Sequence, residues 1–231
     1  MWIYLSLLLA SIAVPLALSF DRKLHFWRKW NVVIPAIVIV AIVYILLDII
    51  FTNHKIWGFN PRYHLGLTIM GLPVEECLFF LVIPYSSLFI HYAFFLYYPK
   101  AFLSNAAAKV LTFILLTITA VIIIFNHDKI YTVYAFVAMF ISLLFSFFDK
   151  SNELHKFYTS FLIILVPLVI VNGILTGSII EQEVVWYNDA ENLGLRVFTI
   201  PVEDFAYGFS LIFFNLLLIN LLEKRTFLKT H

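Results

Sequence analysis

Charged residues and cysteine are both scarce in this chain, and each scarcity excludes a class of protein. Only 13% of the 231 residues are charged and 63% are hydrophobic, with a mean hydropathy of +0.97. A soluble domain carries about 25% charged residues, so this composition indicates an integral membrane protein. A net charge of +1, with one short basic run at 21–30, provides no electrostatic surface for nucleic acid. The single cysteine, Cys77, can form neither an internal disulfide nor a cysteine-rich metal cluster.

Sequence motifs for common cofactors are also missing. No G-x-G-x-x-G motif follows a strand-like segment and no P-loop occurs, which argues against a bound dinucleotide or nucleoside triphosphate. The seven histidines form no H-E-x-x-H or comparable set, and His91 is interpreted as a core histidine with satisfied hydrogen bonds. The apolar segment at 204–222 contains no lysine, which excludes a retinal Schiff base there. We therefore expect no cofactor and no metal.

Seven apolar segments are long enough to be membrane-spanning helices, for which about 20 residues suffice. They lie at 2–20, 31–51, 76–98, 106–125, 130–148, 157–175 and 204–222. The predicted fold class is therefore an all-α integral membrane protein with seven transmembrane helices. Only residues 126–129 separate the fourth and fifth segments, which predicts a tight turn. The long loops at 52–75 and 176–203 are where we expect the chemistry.

One carboxylate motif occurs in both halves of the chain. Residues 73–76 read Pro-Val-Glu-Glu and residues 201–204 read Pro-Val-Glu-Asp, and each motif opens an apolar, aromatic-rich segment. A tryptophan precedes each motif, at Trp57 and Trp186, with a glycine between. The two motif helices begin on the same side of the membrane, so both motifs are predicted to lie at the same depth.

Each half of the chain is therefore predicted to consist of three helices, of which the third is the motif helix. We predict a first repeat at 1–98 and a second repeat at 130–231. A connector helix within 99–129 restores the parallel orientation of the two repeats. Parallel repeats of this kind commonly form a binding site at their interface.

The paired acids have a structural and a functional interpretation. Proline is favoured in the first turn of a helix and acids there complement the helix dipole, so one motif alone could mark a helix start. Acids within the membrane are costly, and two matched pairs favour a functional role. Adjacent helical residues point about 100° apart. We expect Glu75 and Glu203 to face the bundle centre, with Glu76 and Asp204 as partners or proton relays.

Lysine and arginine are distributed unequally between the two sides of the predicted bundle. The side with the N-terminus and the two long loops has four of the fifteen, namely Lys55, Arg62, Lys129 and Arg196. The positive-inside rule then makes the opposite side cytoplasmic. We predict a multi-pass protein of the cell membrane whose N-terminus lies outside and whose C-terminus is cytoplasmic.

The motif regions resemble a known family. PVEECLFF and IPVEDFAYGF, with WYNDAENLGLR at 186–196 and VNGILTG at 171–177, are similar to the small membrane-integral lycopene cyclases. That family consists of two related halves, encoded separately in some bacteria and fused in others. The resemblance covers nearly the whole chain, which looks like the fused form. The halves differ in that helix 2 contains Asp48, whereas helix 6 ends with Asn172.

The resemblance implies a lycopene β-cyclase, an isomerase of carotenoid biosynthesis that closes the ends of lycopene to β-ionone rings, through γ-carotene to β-carotene. Protonation of a terminal double bond begins the closure, and loss of a proton ends it without net redox change. Acids in an apolar site can donate and accept these protons. The catalytic candidates are Glu75, Glu76, Glu203 and Asp204. The expected partners are lycopene, other carotenoids and the lipid bilayer, with other carotenoid-pathway enzymes as further candidates.

Aromatic and polar residues near the motifs are candidates for holding the substrate, because aromatic faces attract a developing cation. The substrate-binding candidates are Trp57, Tyr85, Trp186, Tyr207, Asp48 and Asn172. The supporting candidates are Arg62, Arg196 and Asn188. The two arginines either pair with motif carboxylates or serve as solvated loop anchors.

Two alternative functions remain open. A proton-coupled small membrane transporter would use the four carboxylates to bind and release protons. The position of the motifs near helix starts, and the absence of matched Gly/Pro-broken helices in both halves, argue against it. The second alternative is a carotenoid-binding membrane protein without catalytic activity.

Overall fold

The computed structural model describes residues 2–149 and 151–229, and the described residues form seven α-helices. The helices are α1 (Ile3–Leu18), α2 (Trp30–Asn53), α3 (Val74–Tyr97), α4 (Asn105–Phe125), α5 (Ile130–Ser146), α6 (Glu153–Leu175) and α7 (Glu203–Lys229). The predicted all-α fold class and all seven predicted segments are confirmed.

Five helical segments of the described chain are long and apolar enough to cross a membrane. They are Phe26–Asn53, Val74–Tyr97, Asn105–Phe125, Glu153–Leu175 and Glu203–Lys224. The other two helices, α1 and α5, are equally apolar but shorter, with 16 and 17 residues. At 1.5 Å per residue they extend about 24–26 Å, slightly less than the roughly 30 Å hydrocarbon core. The protein is an integral membrane protein.

Local sequence signals account for several helix boundaries. Helix α4 begins after Ser104, whose hydroxyl accepts a hydrogen bond from the Ala107 amide at 3.2 Å, as expected of a serine N-cap. The predicted tight turn between α4 and α5 is confirmed, because the Lys129 amide donates to the Asn126 carbonyl at 3.0 Å. Helix α3 follows directly after Pro73, whose fixed φ suits a helix start.

The motif helices α3 and α7 lie at the centre of the bundle. Helix α7 packs against α5 and α2, and α3 packs against α1, α2 and α6, so each contacts helices of both halves. Phe157, Phe209 and Phe213 are buried where α6 meets α7. Helix α4 packs mainly against α5. The division into repeats at 1–98 and 130–231 with a connector at 99–129 stays a prediction.

The two long loops contain short strands that join the halves at one end of the bundle. Strand β1 (Trp57–Phe59) of the first loop pairs antiparallel with β4 (Val185–Tyr187) of the second. Each loop then forms a small hairpin before its motif helix, β2 (Thr68–Ile69) with β3 (Leu72–Pro73), and β5 (Arg196–Val197) with β6 (Ile200–Pro201). This pairing brings the loops and the first turns of α3 and α7 together.

Candidate active site

A cavity of about 70 Å³ lies between the paired loops and the first turns of the two motif helices. Three carboxylates line it, Asp48 from α2, Glu76 from α3 and Asp204 from α7. Its aromatic lining consists of Tyr4, Trp57, Phe59, Phe79, Tyr131, Tyr187 and Tyr207. Because one residue of each motif lines the same cavity, the prediction that the motifs lie at the same level is confirmed.

On the first-half side of the cavity, Asp48 and Glu76 form a pair. The Tyr4 hydroxyl donates a hydrogen bond to Glu76 Oε2. The Trp57 indole Nε1 donates to Asp48 Oδ1 at 2.5 Å, and the Thr52 hydroxyl donates to the same oxygen at 3.2 Å. The two carboxyl groups are close enough to hydrogen-bond to each other when one is protonated. Adjacent buried carboxylates repel when both are charged, which favours one shared proton.

On the second-half side, Asp204 accepts hydrogen bonds from three donors. The Tyr131 hydroxyl donates to Oδ1, the Tyr187 hydroxyl to Oδ2 at 3.1 Å, and the Asn172 amide to Oδ2 at 3.4 Å. Tyr187 belongs to strand β4, and burial raises its pKa well above the ordinary value, so it remains a donor. Donors directed at both oxygens stabilise a carboxylate in its charged form.

Glu75 and Glu203 are buried, as predicted, but they do not line this cavity, which Glu76 and Asp204 line instead. Glu75 Oε1 accepts the Leu65 amide at 2.6 Å, and Glu203 Oε1 accepts the Leu193 amide at 2.7 Å. Each glutamate therefore holds the loop that precedes its own helix. The orientation follows from the 100° rotation between adjacent residues, which directs Glu76 and Asp204 inward.

The loop segments that these glutamates hold have the same geometry in both halves. Gly66 and Gly194 adopt left-handed φ values of 81° and 69°, which glycine tolerates without strain. Their amides donate to side chains two residues earlier, to His64 Nδ1 at 3.0 Å and to Asn192 Oδ1 at 2.7 Å. The amide of the intervening residue, Leu65 or Leu193, is thereby available to the buried glutamate.

The predicted substrate-binding residues divide into two groups. Trp57, Tyr207, Asp48 and Asn172 line the cavity. Tyr85 does not, because its hydroxyl bonds to Ser19 Oγ at 2.6 Å and accepts the Trp30 indole at 3.2 Å, farther along α3. Trp186 is also outside the lining, since it lies opposite Gly58 in the β1–β4 pair and its ring covers that glycine. The expectation that these two residues contact the substrate finds no support in the cavity.

The predicted supporting residues stabilise the loops and do not contact the motif acids. Arg62 forms an exposed ion pair with Glu181 at 3.2 Å. Arg196 pairs with Asp189 at 2.6 Å, and this hydrogen bond lowers the pKa of the Asp189 carboxyl. The interpretation that these arginines pair with motif carboxylates is therefore wrong. The Asn188 side chain closes a turn by accepting the Ala190 amide at 3.1 Å.

Three cavity tyrosines were not identified from the sequence. Tyr4 and Tyr131 occupy the first turns of α1 and α5, the first helix of each half, and Tyr187 follows Trp186 in β4. Their corresponding positions in the two halves are a signal that could have identified Tyr4 and Tyr131. In the predicted core, His91 is buried and bonds to Ser160 Oγ at 2.7 Å and Glu153 Oε1 at 2.8 Å, as expected of a satisfied histidine. In the described part of the chain, no three His, Cys, Asp or Glu side chains are arranged so that they could hold a metal ion together.

Comparison with known families gives one match. The family model described as lycopene cyclase matches residues 1–95 and 128–222, which together make up more than half of the chain. The two matched segments contain the two carboxylate motifs, and all three cavity carboxylates lie within them. No curated protein matches the chain, and no solved structure does so either.

Proposed function

Because the chain belongs to the lycopene cyclase family, we propose that it is a lycopene β-cyclase that forms β-ionone rings by proton transfer. The observation that carries this proposal is the cavity in which Asp48, Glu76 and Asp204 meet under an aromatic wall. Ring closure requires a proton donor and a proton acceptor around one short-lived cation. The cavity holds a carboxyl pair suited to donate and a third carboxylate suited to accept.

In the proposed first step, the Asp48–Glu76 pair protonates the terminal double bond of lycopene. The π electrons of that bond form the new C–H bond, and a tertiary carbocation is left on the neighbouring carbon. The π electrons of an internal double bond then form the ring C–C bond and move the positive charge into the ring. The Tyr4 hydroxyl, which hydrogen-bonds to Glu76, stabilises the carboxylate that remains.

In the proposed last step, Asp204 accepts a proton from a ring carbon next to the cation, and the electrons of that C–H bond form the β-ionone double bond. Its three donors, Tyr131, Tyr187 and Asn172, stabilise the charged form of the carboxylate and so favour it as the proton acceptor. One proton is gained and one is lost, so the product is an isomer of the substrate. The balance requires no oxidant or reductant, and we propose that no redox cofactor takes part.

The aromatic wall supports the same chemistry. A cation in an apolar cavity has no water around it. Each aromatic face within about 6 Å then attracts the desolvated cation by roughly 2 kcal/mol. Trp57 packs against Tyr131 with ring centroids 5.0 Å apart, and Tyr187 stacks on Tyr131 at 5.5 Å. Three rings are therefore held together beside the carboxyl groups, where the charge would develop.

Expression in cells that accumulate lycopene tests the proposed function. We expect β-carotene, with γ-carotene as the monocyclic precursor, in separated pigment extracts. The membrane level of the protein and cells with an empty vector serve as controls. Unchanged lycopene beside normal protein levels would contradict the cyclase and favour the transporter or carotenoid-binding alternative. Rings with the ε double bond would contradict the β assignment and leave the acid mechanism standing.

A further inference from the structure

The acid cavity is too small to enclose a ring-forming end group. Its volume is about 70 Å³, whereas a cavity that holds benzene measures roughly 150 Å³. A cyclising end group is larger than benzene, so it must extend through an opening of the cavity. The long polyene behind the reacting end needs a path through the same opening.

The acid cavity borders a second space at two shared residues, Ile83 of α3 and Leu168 of α6. Both residues line the acid cavity, and both also line a groove of about 410 Å³ between α1, α3 and α6. The groove wall is mostly apolar, with Ser11, Ser86 and Ser87 as its polar residues. It includes exposed residues such as Ala10 and Val14 on α1. The groove therefore extends from the lipid-facing surface of the bundle to the two side chains that border the carboxylate cavity.

A similar groove exists between α2, α5 and α7, with a volume of about 510 Å³, but it shares no lining residue with the acid cavity. Tyr44 separates the two spaces. Its hydroxyl bonds to Ser210 Oγ at 2.9 Å, and its ring packs edge-on against Tyr207 with centroids 5.2 Å apart. When the halves are aligned on Glu75 and Glu203, the position of Tyr44 corresponds to Asn172, whose shorter side chain lines the cavity. One groove therefore borders the acid cavity directly (the open groove), whereas Tyr44 stands between the cavity and the other groove (the blocked groove).

We propose that the acyclic carotenoid enters sideways from the bilayer and that its polyene lies in the groove between α1, α3 and α6, with the reacting end between Ile83 and Leu168. This proposal rests on the proposed cyclase function. The chemistry of the occupant follows from the groove itself, because a long, uncharged hydrocarbon matches a mostly apolar groove that faces lipid and borders the cavity with the carboxyl groups. The polyene remains partly in contact with lipid while the end group reacts.

Matched tryptophan variants test the route. Ala10→Trp puts an indole into the open groove, and Val43→Trp puts one into the groove blocked by Tyr44. Both replace an exposed, lipid-facing aliphatic residue. We expect Ala10→Trp to lower lycopene conversion at least about tenfold at equal membrane levels, and Val43→Trp to leave it unchanged. Equal losses for both variants, or a loss for Val43→Trp alone, would overturn the proposal.

Photocrosslinking tests occupancy without relying on turnover. Replacing Ala10 or Val43 by a residue with an alkyl diazirine, then illuminating the full-length protein with lycopene in nanodiscs, should give several-fold more lycopene adduct at Ala10. Equal adduct at the two positions, or more at Val43, would overturn the groove assignment. The two proposals fail separately. A wild-type protein that does not cyclise lycopene contradicts the function, whereas a cyclising protein without preferential adduct at Ala10 contradicts the groove.

Discussion

At the scale of single residues, adjacent acids in each motif occupy different environments. Glu75 accepts the Leu65 amide and holds a loop, whereas Glu76 is directed at Asp48 and the cavity. A rotation of about 100° along the helix separates these two environments. The motif therefore places one acid against a loop and the next acid at the cavity.

We predict that Glu76→Gln abolishes cyclisation and that Glu75→Gln retains it. Glutamine cannot donate the proton, and loss of a general acid reduces rates by about 10²–10⁴-fold. At position 75 the amide oxygen can still accept the Leu65 N–H, so activity should remain within about tenfold of wild type. Conversion of lycopene by membranes with matched protein levels is the measurement.

Size-exclusion profiles in detergent serve as the control for folding of both variants. The reverse ranking, with an inactive Glu75→Gln and an active Glu76→Gln, would show that the proton passes through the residue that holds the loop. Normal conversion by both variants would remove the motif of α3 from the proposed mechanism.

The sequence identified the acids but could not decide which of each pair faces inward. Which acid faces inward depends on the rotation of α3 and α7 about their own axes, which is set by packing against neighbouring helices. Because apolar residues surround both motifs, the sequence shows no polar face that would indicate this rotation. The same limitation applies to Tyr85, which looked like a site residue by its distance from the motif. It lies too far along α3 and bonds to Ser19 instead.

At the scale of secondary structure, the β1–β4 pair forms one wall of the cavity, at the loop end of the bundle. Strand β1 supplies Trp57, which bonds to Asp48, and β4 supplies Tyr187, which bonds to Asp204. The pairing brings Gly58 under the ring of Trp186, where a Cβ atom would lie 2.3 Å from a ring carbon. Glycine is required there by this close contact.

We predict that Gly58→Ala destabilises the protein by about 1–3 kcal/mol, because the added methyl group forces the Trp186 ring away from the strand pair. Thermal unfolding in detergent should therefore start several degrees lower. A double-mutant cycle with Trp186→Ala isolates the contact. The effect of Gly58→Ala should fall by more than half in that background. An equal loss with and without the indole would contradict the explanation.

At the scale of the whole molecule, the cavity and most of the basic residues lie at opposite ends of the bundle. Ion pairs between Lys29 and Glu223 at 2.7 Å and between Lys224 and Asp149 at 3.3 Å mark the end away from the carboxylate motifs. The positive-inside rule then predicts that this end is cytoplasmic. The acid cavity would open near the outer surface.

We predict that a reporter fused after Lys150, which itself lies outside the described residues, reads cytoplasmic, whereas one inserted within 186–196 reads external. The expected reason is the excess of lysine and arginine on the Lys150 side. Paired phosphatase and fluorescent-protein fusions at each site make the measurement, with in-frame expression checked by immunoblot. A cytoplasmic signal from 186–196 would reverse the orientation of the whole bundle.

The fold was more predictable from the sequence than the site. Runs of apolar residues indicate helices directly, because a membrane segment must satisfy its backbone hydrogen bonds internally. The β1–β4 pair was not predicted, since three-residue strands in loops give no periodic pattern. The ion-pair partners of Arg62 and Arg196 were also not predicted, because these pairs form only when the loops are folded.

The shared cavity also sets the order of events for the substrate. Lycopene has two identical ends, and in the described chain Asp48 and Glu76 of one half meet Asp204 of the other in one chamber. In the proposed mechanism the two ends are cyclised in succession. The monocyclic carotenoid must therefore leave the cavity and re-enter it with its other end before the second cyclisation. During that interval it diffuses in the bilayer as an ordinary lipid. Synthesis is then interruptible, and any neighbouring enzyme that accepts a one-ringed carotenoid can divert it.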